Sequence, residues 1–176
     1  MINACLQIFK TVLPFALVGV ISGLVSTATW DIDDNGLLLV TLPGWLFAIG
    51  TSVVFLSQTR SFGQVITLKL LAWSVFTGGC FFASAYMVIQ GLDYRSHLVF
   101  ILPGFITTFV MVFFFRSLIS FLTIVDMLKV SILAGGIAYI SIRYFILTDI
   151  FAILFMPYHI LVGGYFGYLI SKKNRI

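Results

Sequence analysis

The chain is expected to fold as an all-α integral membrane protein, with six transmembrane helices arranged as three consecutive hairpins. Three observations lead there. Of 176 residues, 61% are hydrophobic and only 9% are charged, whereas a soluble domain carries about 25% charged residues. Mean hydropathy is +1.15, so charge cannot clothe a water-facing surface. Third, six apolar runs follow one another, at 11–29, 36–57, 70–91, 97–115, 130–148 and 150–171. Each is close to the ~20 residues that a helix needs to cross the hydrocarbon core. The connections are short, and residues 1–176 read as a single polytopic domain.

The first span follows Lys10 and ends before the acidic turn "DIDDNG" (31–36). Its apolar run of about 18 residues is longer than the 7–15 of a signal-peptide core, so residues 1–28 are read as a retained helix. The second span runs down to "SQTRSFGQ" (57–64), and the third rises to "GLDYRSH" (91–97). The fourth ends at Arg116, beyond which residues 117–129 read as a short amphipathic segment along the membrane surface. A tight bend at Asp149 joins the fifth and sixth spans, and the tail is "SKKNRI".

Charge sets the orientation. With the N-terminus inside, Lys10, Arg60, Lys69, Arg116, Lys129, Lys172, Lys173 and Arg175 are cytoplasmic, and only Arg95 and Arg143 are outside. Basic residues concentrate in cytoplasmic loops. The protein is therefore expected in the plasma membrane, multi-pass, with both termini in the cytoplasm. The net charge of +4 needs no nucleic acid to explain it, and no basic run with interleaved aromatics forms a binding patch. The expected partners are the lipid bilayer and either other membrane subunits or a homo-oligomer.

Proline and glycine recur in the even spans. "TLPGW" (41–45) is followed by "ILPGF" (101–105) and "FMPYH" (155–159), each proline about seven residues past the outer start of its span. The odd spans match one another through Lys10, Lys69 and Lys129, each followed by glycines: Gly19 with Gly23, Gly78 with Gly79, Gly135 with Gly136. An internal threefold repeat of about 59 residues is the expectation, with any axis along the membrane normal. Three hairpins of minimal length would also repeat at about this period unaided. Only the prolines and glycines speak for more.

Pro43, Pro103 and Pro157 should kink their helices, because proline removes a donor and displaces the carbonyl four residues earlier. Those carbonyls belong to Leu39, Val99 and Ile153. In hydrocarbon they need protein or a watery cavity as partner. Small residues spaced by four mark the packed faces. These are Gly19/Gly23, Gly44/Ala48/Ser52, Gly79/Ala83, Gly104/Thr108, Ser131/Gly135 and Gly163/Gly167.

The chemistry is sparse. "DIDDNG" opens like a calcium loop, but the carboxylate required at its twelfth position is replaced by Leu42. No metal site, cofactor or catalytic motif is expected, and the chain is read as not an enzyme. His159 stands about nine residues into the last span, roughly 14 Å from its outer end by helical rise. An intramembrane ionisable group is a candidate for function. With Gln90 and Tyr86 it is assigned to ligand binding, in an outward-facing pocket bounded by the second, third and sixth spans.

Two functional classes follow. One is a small-solute transport or substrate-capture component. In chain length and span count the sequence resembles the small substrate-binding subunits of modular vitamin importers, and that resemblance implies partner subunits that supply energy. The other is a non-catalytic membrane accessory, scaffold or immunity-type protein. The orientation is testable by itself. Cysteines placed at Asp33, Tyr94 and Asp149 should react with an impermeant reagent on intact cells, and cysteines at Arg60, Arg116 and Lys173 should not. Labelling of the second set reverses the topology.

Overall fold

The computed structural model describes residues 2–30, 37–59, 63–91, 97–118, 122–148 and 151–173. Among them lie six helices and no strand: α1 (Ile2–Trp30), α2 (Leu37–Thr59), α3 (Gln64–Gly91), α4 (His97–Phe115), α5 (Ile124–Thr148) and α6 (Phe151–Lys173). Four of these, α1, α2, α3 and α5, are long and apolar enough in their described parts to cross a membrane. In α4, Ile101–Phe115 forms a shorter apolar stretch.

The even helices keep close to the apolar runs, but the odd helices start earlier, at Ile2, Gln64 and Ile124. Lys10, Lys69 and Lys129 therefore stand inside helices, exposed, rather than at their beginnings. Hydropathy marks only the greasy part of a helix, and a lysine stem can lie along it with its head in the aqueous layer.

The surface segment expected at 117–129 is not formed as such. Arg116, Ser117 and Leu118 make a turn, with Ser117 N donating to Phe114 O at 3.1 Å and Leu118 N to Phe115 O at 2.9 Å. From Ile124 onward the residues already belong to α5. The cause is a reciprocal cap. Asp126 N donates to Thr123 Oγ1 at 3.1 Å, and the Asp126 carboxylate accepts from Thr123 Oγ1 at 2.6 Å and from Thr123 N at 3.4 Å. Asp126 thus serves as a helix-start residue.

Each helix packs against its neighbours in the chain, and α6 returns to α1, which closes a ring. The α1–α6 contact is the most extensive of all. Glycines make it. A methyl group on Gly19 would fall 2.6 Å from the main chain of His159, one on Gly23 2.5 Å from Met156, one on Gly163 2.5 Å from the Phe15 carbonyl oxygen, and one on Gly167 2.7 Å from Val12. No side chain fits there. At three other glycines the nearest neighbour is a side chain: Gly44 faces the Phe81 side chain, Gly78 the Trp45 ring, and Gly104 the Ala138 methyl.

One register recurs among these seams. The residue two past each even-helix proline meets a glycine of the next odd helix around the ring: Trp45 on Gly78, Phe105 on Gly135, and His159 on Gly19. A fourth proline, Pro14, lies inside α1. On α3 the expected small-residue face is corrected. Gly79 and Ala83 are exposed, and the inward set is Leu70, Trp73, Ser74, Thr77, Gly78 and Phe81. Gly79 lies one residue, and so about 100° of helical rotation, from Gly78.

The ring is filled by aromatic side chains. Trp73 packs against Phe115 and Phe166 at centroid distances of 5.4 and 5.7 Å, Phe115 stacks on Phe166 at 4.2 Å, and Phe55 meets Phe115 edge-on at 5.6 Å. Such pairs contribute about 0.5–1.5 kcal/mol each beyond area burial. Trp73 Nε1 donates to Met111 O at 3.1 Å, so its one polar group is satisfied.

Two substitutions separate packing glycines from idle ones. Gly19→Ala should lower the thermal stability of the solubilised protein by about 1–3 kcal/mol, the usual cost of overpacking. Gly79→Ala, where a methyl group meets nothing within 4 Å, should stay within about 0.5 kcal/mol of the parent. Equal melting temperatures for the two variants would contradict the closed α1–α6 seam.

Candidate functional site

Beyond Pro157, α6 turns Tyr158 and His159 into the ring interior, where they are 5% and 0% exposed. The imidazole lies against three helices besides its own. It stacks on Phe47 of α2 at 4.6 Å with a 12° interplanar angle, and meets Phe81 of α3 edge-on at 4.7 Å. Phe155 and Tyr158 of α6 approach it at 6.1 and 5.7 Å. From α1, Ser22 Oγ stands 2.7 Å from His159 Nδ1. Ser22 can reach because Gly19 and Gly23 bring the α1 main chain against α6.

The polar groups here are mostly tied to main chain. Ser22 Oγ donates to Gly19 O at 3.0 Å. Thr108 Oγ1 donates to Gly104 O at 2.8 Å and lies 2.6 Å from Tyr158 Oη. Thr51 Oγ1 lies within reach of the carbonyls of Phe47 and Ala48, and Ser52 pairs with Ser74 at 3.1 Å. Ser84 meets Thr107 and the Pro103 carbonyl. Serine and threonine in a helix commonly bond the carbonyl three or four residues back, which settles them in an apolar interior. Three buried side-chain atoms have no partner among the described residues: His159 Nε2, Thr77 Oγ1 and Ser171 Oγ. A buried polar atom left unpaired costs about 1–3 kcal/mol.

No protein-family model, curated protein or solved structure matches this chain significantly. The site therefore has to be read from its own geometry. Of the three residues assigned to ligand binding, His159 sits at the meeting of α1, α2, α3 and α6. Tyr86 is 58% exposed on α3. The side chain of Gln90 lies outside the described residues, as do the surroundings of Leu39, Val99 and Ile153. Pro43 and Pro103 are buried and Pro157 is half-buried. Where a pocket between the second, third and sixth helices was expected, the level of His159 is filled by the packed rings of Phe47 and Phe81. Among the described residues no group of three His, Cys or Asp side chains could hold a metal. Cys80 is a free, partly buried thiol.

The sequence marks Gly19 and Gly23 as a packed face but does not single out Ser22, Phe47, Phe81 or Tyr158. Ser22 sits between two glycines at helical spacing, which was a usable signal. The two phenylalanines are 2 of 19, and nothing in their spacing separates them from the rest.

The Ser22–His159 pair can be tested by a double-mutant cycle. Ser22→Ala should destabilise by about 1–3 kcal/mol, because it leaves Nδ1 buried without a partner. Adding His159→Phe removes the orphaned group and should recover most of that loss. Additive losses in thermal unfolding would show that the two side chains do not interact.

Proposed function

We propose that this is a plasma-membrane protein with six spans, both termini cytoplasmic, that captures a small solute at His159. The observation that carries the reading is a fully buried histidine whose second ring nitrogen has no partner. Orphaned polar atoms are few in folded proteins and call for an explanation, and an intramembrane ionisable group points to function. The surroundings supply what a small-molecule site needs, namely aromatic walls with a few placed polar groups. The site takes capture rather than conduction as its role, because the Trp73, Phe115 and Phe166 layer fills the ring among the described residues. Access requires Phe47 or Phe81 to turn aside.

The same reading includes an internal threefold repeat. It is supported by the shared register in which Trp45, Phe105 and His159 meet Gly78, Gly135 and Gly19. In the third unit histidine stands where the other two carry aromatics. On this view the site is a departure from symmetry at one of three equivalent positions.

The sealed aromatic layer also favours a second reading, a non-catalytic accessory, scaffold or immunity-type membrane protein that moves nothing. Thermal unfolding of the purified chain against a panel of neutral, cationic and anionic small solutes separates the two. Capture predicts that at least one solute stabilises the parent, by about 2.7 kcal/mol at a hundredfold excess over Kd, and that His159→Phe abolishes the shift. No stabilisation by any solute, or a shift indifferent to His159→Phe, would leave the accessory reading standing.

A further inference from the structure

Resting on the solute-capture reading, we infer that the site selects a neutral solute with an N–H or O–H donor on an apolar body, and excludes anions. A serine or threonine hydroxyl has one hydrogen to give. Ser22 spends its hydrogen on Gly19 O, 3.0 Å away. Its 2.7 Å contact with His159 Nδ1 is then satisfied only if Nδ1 carries the ring proton and donates to Ser22 Oγ. A neutral imidazole has one ring proton, so Nε2 is left as a bare lone pair. This tautomer is assigned from the two contacts together, since they coexist in no other neutral arrangement.

Tyr158 gives the same answer independently. Thr108 spends its hydrogen on Gly104 O, so the 2.6 Å contact is a donation from Tyr158 Oη to Thr108. The phenol oxygen then also keeps only acceptor capacity. Two relays, each anchored on a helix carbonyl, thus leave acceptors on adjacent residues of α6. Phe47 lays its negative π-face on the imidazole, and Phe81 stands edge-on to it. Among the described residues no lysine or arginine is buried, and α3 carries one unpartnered buried hydroxyl, Thr77. An anion would meet lone pairs with no cation to balance its charge. A fully charged cation would be buried with no carboxylate among the described buried residues to offset its lost hydration. A neutral donor fits both constraints.

Two measurements test this on the full chain in detergent. The first needs no solute. Nitrogen NMR of ¹⁵N-histidine-labelled protein, with the His159 signal identified by its loss in His159→Phe, should show Nε2 unprotonated and Nδ1 protonated. A protonated Nε2 overturns the assignment. The second compares indole with 1-methylindole, benzimidazole with 1-methylbenzimidazole, and both pairs with benzoate. The N–H members should bind at least tenfold more tightly than their methylated partners, benzoate should not bind, and His159→Phe should erase the difference. Equal binding within each pair, or preferred binding of benzoate, overturns the donor rule while leaving capture intact. If the wider solute panel also fails to stabilise the protein, the capture reading falls and this inference falls with it.

Discussion

The structure depends on the near-contact of two helix backbones, α1 and α6. In hydrocarbon, apolar side chains gain little by leaving lipid for protein, so helices associate through close packing and hydrogen bonds. Four glycines let α1 and α6 approach until main-chain atoms touch. That contact closes the ring, fixes the position of α6, and so places Tyr158 and His159 inside. It also brings Ser22 within 2.7 Å of the imidazole. At the α2–α3 seam the glycines meet the Phe81 and Trp45 side chains instead, while at the α4–α5 seam Gly135 again approaches main chain, at Ile101 O.

A ring of six helices of ordinary diameter encloses more space than small residues can fill. Phenylalanine and tryptophan fill it here, from Phe47 and Phe81 beside His159 to the Trp73, Phe115 and Phe166 cluster. Six phenylalanines serve this purpose among the described residues: Phe15, Phe47, Phe55, Phe81, Phe115 and Phe166. The polar side chains left inside are short, and most bond their own helix. Such residues add little to specificity between helices. The two that reach across from α6, to Ser22 and to Thr108, start from consecutive positions after Pro157.

Much of the architecture was legible in the sequence. Six helices fall where six apolar runs lie, and five of the six small-residue faces turn inward. The exception, Gly79/Ala83, shows the limit. With Gly78 adjacent to Gly79, spacing alone cannot say which glycine faces in, and the decision came from the Trp45 ring on the neighbouring helix. The start of α5 at Ile124 does not show in hydropathy, because it is set by the cap between Thr123 and Asp126 rather than by the apolar run. Within the site, His159 stood out as a rare ionisable group. Its partner could not be deduced, because Ser22 is 137 residues away in sequence, and only the order of helices around the ring brings the two together.

That separation bears on how the protein is made. The ring is closed by α1 and α6, so α1 is made long before its main partner. Until then its glycine face is uncovered, and Ser22 has no imidazole to meet. A chain without α6 keeps five helices but lacks the seam that joins α1 to the rest of the ring. Synthesis of α6 is the step that locks the bundle, and until then α1 presents one open edge.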